Sequence, residues 1–171
     1  MQKITSFLWF DTEALEAAKF YVSVFKKKSK IVSVARYGDG GPGPKGSVML
    51  VEFQLEGQRF LALNGGPHFK FSPAFSFMVS CKTQKEIDYY WDKLVAGGAP
   101  SECGWLTDKF GFSWQIVPEI VGKVMGGKDA AKVNRFMAAL MPMRKLDLAT
   151  LEAAARGAPK RKAAAPRRKA A

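Results

Sequence analysis

KITSFLWF (residues 3–10) runs into DTEALEAAKFYVSVF (residues 11–25), and AFSFMVSC (residues 74–81) is followed closely by TQKEIDYYWDKLV (residues 83–95). Each pair reads as a β-prone apolar run passing into an amphipathic helix. In the first, Asp11 and Thr12 offer helix caps, and Leu15, Ala18, Tyr21, Val22 and Phe25 recur at helical spacing to form a core face. Lys26, Lys27 and Lys28 then place cations at the helix C-terminus, where the backbone dipole favours them. In the second, Thr83 with Glu86 three residues on makes a capping box, Ile87, Tyr90, Trp91 and Leu94 supply the buried face, and Gly97-Gly98 stops the helix.

The segments after the two helices also correspond. The first helix leads to strand candidates at residues 30–37, 47–55 and 58–64, the last two joined by a tight Glu56-Gly57 turn. Between the first two lies GDGGPGPKG (residues 38–46), whose glycines and prolines predict a mobile or ligand-covering loop. The second helix leads to SECGWLTD (101–108) and FSWQIVPE (112–119), two short strands around Lys109-Phe110-Gly111. The chain therefore contains an internal repeat of roughly 70 residues. Each unit is too small to bury its sheet alone, so the two are expected to pair side by side, with a cavity inside the curved sheet. Beyond Pro118 the pattern turns helical: Val133, Phe136, Met137 and Leu140 share one face, and Met137, Met141 and Met143 read as core or dimer packing.

Composition sets the limits. With 171 residues, 47% of them apolar, the chain suits one domain with a sizeable core. No apolar run approaches the roughly 20 residues of a spanning helix, and the Met-Gln-Lys start leads into a strand instead of a signal peptide, which predicts a cytoplasmic protein with no membrane contact. Cys81 and Cys103 lack ligand-spaced partners, which argues against a disulfide framework or a zinc site. The net charge of +12 is concentrated at the C-terminus, where RGAPKRKAAAPRRKAA (residues 156–171) holds seven Lys or Arg and no acid. Such a segment has little to bury and reads as a disordered, solubilising tail capable of weak, non-specific polyanion contact. The expected layout is a domain over 1–155, comprising module one (1–71), module two (72–127) and C-terminal helices (128–155), followed by the tail.

The candidate site is aromatic. Trp9, Tyr37, Phe69, Phe71, Trp105, Phe112 and Trp114 are available to line a pocket, although strand alternation lets only about half of them face inward. Asn64, His68, Asp108, Ser113 and Gln115 are the polar groups at hand. From these, Trp9, Asn64, His68, Phe71, Trp105, Asp108, Trp114 and Gln115 form the expected ligand-binding set. His68, the single histidine, follows an Asn-Gly-Gly-Pro turn and has no Cys, Asp or Glu at nucleophile-activating spacing, so a triad is not indicated. Three readings stay open for it: a pocket-rim hydrogen-bonding group, a general base near neutral pH as the candidate catalytic residue, or an exposed loop residue.

Residues 7–31, residues 36–77, YYWDKL and CGWLTDKFGFSWQIVP together resemble the vicinal oxygen chelate superfamily, in its PhnB-like branch known by the label 3-demethylubiquinone-9 3-methyltransferase. The resemblance covers about residues 3–150. It implies an α+β fold of two paired βαβββ modules, a homodimer, and a ligand cavity in each curved sheet. Metal-dependent members present His, Glu or Gln from strands of both modules, because a divalent ion needs several converging donors. Here ITSFLWF and AFSFMVS contain no His or Glu. DKFGFSWQ resembles the family's Asp-x-x-Gly-x-x-x-Glu pattern and puts Gln115 where a metal-bound Glu would stand; His68 and Glu52 are the further donors that could be added to it. The glycine-rich segments lie between strands, unlike the strand-to-helix turn that usually cradles a methyl donor or dinucleotide. The expectation is a metal-independent small-molecule binding protein without a cofactor. An enzyme of the same superfamily, a lyase, isomerase, dioxygenase-like protein or the methyltransferase of the label, is the alternative.

Overall fold

The computed structural model describes residues 3–157. The basic tail expected from residue 156 therefore lies outside the described residues from 158 onward. Module one comprises β1 (Ser6–Phe10), α1 (Ala14–Phe25), β2 (Lys30–Arg36), β3 (Val48–Leu55) and β4 (Gln58–Asn64). Module two repeats the order with β5 (Ser76–Cys81), α2 (Gln84–Val95), β6 (Ala99–Pro100), β7 (Trp105–Thr107) and β8 (Ser113–Pro118). The two sheets have matching orders, β1-β4-β3-β2 and β5-β8-β7-β6, and in each the outer first strand runs parallel to its neighbour. The repeat expected from the strand-helix pairs is thus present down to strand direction. The two-residue β6 escaped the sequence because a bridge so short leaves no periodicity to read.

Alternation sorts each sheet into two faces. In β3, Val51, Phe53 and Leu55 are buried, and in β4 Phe60 and Ala62 are, so this face of sheet one meets α1. In sheet two, Leu106, Trp114 and Ile116 occupy the corresponding face, where α2 contributes Ile87, Trp91 and Leu94. The glycine pair Gly97-Gly98 ends α2 as expected. Gly97 takes φ +79°, and a Cβ on Gly98 would overlap the Thr107 carbonyl.

The two modules share one core. Tyr21 and Phe25 of α1 reach across to Trp114, with ring centroids 5.3 and 5.5 Å away, and Phe60 meets Phe77 at 5.1 Å. This joint use of α1 corrects its expected face. Buried positions are Ala14, Ala17, Ala18, Tyr21, Val24 and Phe25, while Leu15 and Val22 are only partly covered. A helix enclosed by both modules buries a wider arc than one lying on a single sheet, and small alanines permit the close approach. The α1 N-terminus also differs from expectation. Neither Asp11 nor Thr12 caps it; Asn64 Oδ1, from the end of β4, accepts the Ala14 N–H at 2.8 Å.

The side-by-side pairing expected of the sheets is corrected too. They are not hydrogen-bonded to one another, and they meet through their helix-bearing faces. The loop over residues 38–46 wraps Tyr37: any Cβ on Gly41 or Gly43 would strike its ring, and its hydroxyl donates to the Asn64 carbonyl at 2.6 Å. That loop covers a side chain of its own module.

Beyond β8 the chain forms α3 (Ile120–Met125), α4 (Ala130–Leu140) and α5 (Leu148–Arg156). The short α3 fits the turn to helix expected beyond Pro118, though it lies within the residues (72–127) assigned to module two. Val124, Phe136, Leu140, Leu146 and Leu151 build a second apolar cluster, with Met143 packed against it and Met141 exposed. Lys145 Nζ bridges Asp88 and Asp92 of α2 at 2.7 and 3.1 Å, and Gln84 Oε1 accepts the Leu148 N–H at 2.8 Å. These contacts dock the extension on module two. Among the described residues no helix is long and apolar enough to cross a membrane.

Both cysteines are unpaired. Burial, then the Glu86 charge, pushes the Cys81 thiol up to about 12, whereas Cys103 is part-exposed. Alkylation of the native protein at pH 8 is therefore expected to modify one thiol within minutes and the second only after denaturation. Rapid double modification of folded protein would contradict this core assignment.

Candidate functional site

The faces turned away from the helices carry several of the expected site residues. On sheet one, register aligns Phe7 with Leu61 and Trp9 with Leu63, and sets Leu63 opposite Leu50 and Leu61 opposite Glu52. On sheet two it aligns Met78 with Gln115 and Gln115 with Trp105, and Ser76 with Ser113 and Ser113 with Thr107. Each open face thus has apolar and aromatic walls with a few polar groups among them, the usual make-up of a small-molecule site. Phe7 and Met78, near the centres of their edge strands, are 52% and 60% exposed, unusual for residues of this type in a strand.

The polar groups are held in place. Gln115 Nε2 donates to Ser76 Oγ at 2.9 Å, which leaves its carbonyl oxygen free to accept. Glu52 Oε1 pairs with an Arg59 terminal nitrogen at 2.7 Å. Trp9 is braced by its own N–H, which donates to the Gly66 carbonyl at 2.9 Å, by the edge contact of Phe69 at 4.9 Å, and by Gly65, where any Cβ would overlap the indole. Phe71 and Trp105 line a cleft of about 300 Å³ with Pro73, Thr107 and Ser113.

The structure divides the expected site residues into groups. Trp9, Trp105 and Gln115 lie on open faces, and Phe71 stands beside Trp105. His68 is exposed on the loop after β4, near Gly66. Asn64 spends its side chain on the α1 N-terminus and, through Nδ2, on the Val48 carbonyl at 3.1 Å. Trp114 and Asp108 belong to the interior, at 1% and 2% exposure. Asp108 Oδ2 accepts from the Tyr21 hydroxyl and the Trp114 indole N–H, both at 2.8 Å, while Oδ1 accepts the Phe110 and Phe112 backbone N–H groups at 2.9 and 3.1 Å. This carboxylate fastens α1 of module one to the β7–β8 turn of module two. Burial raises its pKa against the lowering pull of those donors, and burial with the neighbouring Asp108 charge raises that of Tyr21 well above the usual value. The sequence reading missed Ser76, Met78 and Arg59 as open-face residues, and named Glu52 only as a possible metal donor; the one signal for them was their place in the alternation of β3, β4 and β5.

Groups implied by the fold can be set against these donors. Among the described residues no three His, Cys, Asp or Glu side chains gather closely enough to hold a metal ion. Gln115 has Ser76 as its polar neighbour, Glu52 is engaged by Arg59, and His68 lies on an exposed loop, so the donor set does not fit a chelated divalent ion. A methyl-donor cofactor fares no better. The glycines of residues 38–46 pack on Tyr37, and Gly65 packs on Trp9, so neither segment opens onto a helix N-terminus.

Comparison with known proteins agrees with this architecture. The sequence model of a family described as 3-demethylubiquinone-9 3-methyltransferase matches residues 2–117. A solved structure described as a putative 3-demethylubiquinone-9 3-methyltransferase, PhnB protein, from Bacillus cereus is 42% identical, covers 68% of this chain and 99% of its own, and superposes with a TM-score of 0.63. A protein from Pseudomonas aeruginosa is 19% identical with a TM-score of 0.58, covering 70% of this chain and 98% of its own. A fosfomycin resistance protein from Listeria monocytogenes is 12% identical with a TM-score of 0.52, covering 71% and 94%, and shares the fold alone. No curated protein matches the chain by sequence. The chain belongs to the PhnB-like family of the vicinal oxygen chelate superfamily. The matched region stops before α3, so the docked C-terminal helices lie beyond the family match.

Proposed function

We propose that the protein is a metal-independent small-molecule binding protein, acting in the cytoplasm as a homodimer. The carrying observation is the pair of open sheet faces, rich in aromatic and aliphatic side chains and sparing in polar groups, without gathered metal donors among the described residues. Because the modules of one chain meet through their helix-bearing faces, a closed cavity needs the open face of a second copy. Sheet one of one protomer against sheet two of the other gives two equivalent cavities related by a two-fold axis. Each would hold Trp9 and Trp105 as walls, with the Gln115 carbonyl and the Arg59 guanidinium to orient an aromatic or amphipathic guest. Reduced, unpaired thiols suit the cytoplasmic setting.

The test is native mass spectrometry of the purified protein with identification of co-purified compounds, followed by titration of the compound found. Trp105→Ala is expected to weaken its binding about tenfold, the loss of one well-packed aromatic wall. Unchanged affinity in both Trp105→Ala and Gln115→Ala would remove the open faces as the site.

A second reading, an enzyme of the same superfamily, draws on Gln115 standing on the open face where relatives of this pattern carry a carboxylate. In that case turnover is expected to fall with Gln115→Ala or His68→Ala. Activity untouched by both substitutions would end it.

A further inference from the structure

A second cavity lies between the modules, of about 830 Å³, bounded by the end of α1, the β3–β4 hairpin, β5 and α2. It opens on the helix-bearing side, away from Trp9 and Trp105. Its size falls in the range of about 300–1,000 Å³ usual for small-molecule sites. Phe25 stacks on Tyr90 at 5.2 Å along one wall, Phe60 meets Phe77 edge-on at 5.1 Å along the other, and Trp114 closes the floor. Tyr90 and Phe77, part-exposed, face the space, with Phe25, Phe60 and Trp114 packed behind them. The natural occupant of such walls is another flat apolar surface.

The mouth carries charge that the protein itself does not neutralise. Lys26, Lys27 and Lys82 line it, and among the described residues none of the three has a carboxylate within 4.0 Å. Lys26 Nζ sits 5.7 Å from the Tyr89 ring centroid, an ammonium group held over an aromatic face at the entrance. Two acids share the mouth. Glu86 is committed to the α2 N-terminus, where its Oε2 accepts the Lys82 backbone N–H at 2.6 Å. Glu56 sits in the hairpin turn at φ +47° and leaves the mouth with one net positive charge. A third feature adds hydrogen-bonding capacity. β5 is the outer strand of its sheet, and residues 76–80 line the cavity, so the backbone groups of its free edge border the space.

We propose that this inter-module cleft is a second ligand site, taking a small aromatic monoanion such as an aryl carboxylate. Rings grip the apolar body, and the carboxylate meets Lys26 or Lys27 at the mouth. The proposal is distinct from the open-face reading: the two share only Ser76 and Met78 of the edge strand β5, and neither Trp9, Trp105 nor Gln115 lines this cleft.

Calorimetric titration of the full-length protein with 2-naphthoate tests it. Saturable binding of one equivalent per chain is expected, weakened about tenfold in the Lys26→Glu/Lys27→Glu double variant. The neutral amide, 2-naphthamide, should bind more weakly and be indifferent to that double change. Ser80→Trp, an exposed position on the cavity wall, should fill the space and abolish binding, with circular dichroism confirming an intact fold. Trp105→Ala should leave it unchanged. Absence of saturable binding overturns the proposal, and so does binding that survives Ser80→Trp or falls with Trp105→Ala.

Discussion

Asp108→Ala is expected to cost about 3–5 kcal/mol of folding stability, enough to unfold much of the protein at 37 °C. Two backbone N–H groups, the Trp114 indole and the Tyr21 hydroxyl would all lose one acceptor inside a closed core. Leaving several buried donors unpaired is far more damaging than losing one surface contact. Asp108→Asn should recover little, since its amide nitrogen would face donors in place of acceptors. Urea unfolding monitored by tryptophan fluorescence measures the effect. A loss below about 1 kcal/mol would show that the inter-module clamp is not structural.

The same cluster sets a pH dependence. Burial raises the Asp108 pKa in the folded state, so the increment of stability linked to its protonation is present below the usual 3.8 and is lost as pH rises through the folded value, while the bonds its oxygens accept persist in the ionised form. Tyr21 is likewise raised, so its contribution is full below 10.0 and declines as pH climbs past that value. Relative to the parent, Tyr21→Phe should be less stable at pH 8 but lose less additional stability between pH 10 and 11. Parallel stability curves for the two proteins would contradict this account.

Met78→Asp is expected to give the second large effect, on assembly. Met78 is 60% exposed on the edge strand β5, beside Gln115 on the face proposed to meet a second copy. A carboxylate there would have to be buried without a partner on association, raising the dimer dissociation constant by about a hundredfold or more. Phe7→Asp, on the other sheet, should do the same. Sedimentation velocity reads the outcome directly, and dimers that persist in both variants would exclude these faces as the contact. Because both positions are exposed in the single chain, the monomer should stay folded.

Much of this architecture could be read from residues alone, for identifiable reasons. Thr83 and Glu86 carry a local capping signal, and the hydroxyl of Thr83 does accept the Glu86 N–H, at 3.2 Å. The Glu56-Gly57 turn takes positive φ at both positions, as a two-residue hairpin requires. Long-range partners were hidden. That Asn64, fifty residues downstream, supplies the acceptor at the start of α1 leaves no local trace. Nor does the link from Asp108 to Tyr21, eighty-seven residues apart, in a segment whose Asp-x-x-Gly spacing reads simply as a turn. Trp114 and Gln115 show the ambiguity of β8 most clearly. Alternation dictates that adjacent residues face opposite ways, but with apolar residues on both faces it does not say which side meets α1. The structure turns Trp114 to the core and Gln115 to the open face.

If ring-lined sheet faces capture the ligand without a bound metal, inductively coupled plasma mass spectrometry of the purified protein will read it. Zinc, nickel, manganese and iron are all expected far below one equivalent per chain, with ligand affinity unaltered by chelators. One tightly bound ion per chain, lost on Gln115→Ala, would contradict it.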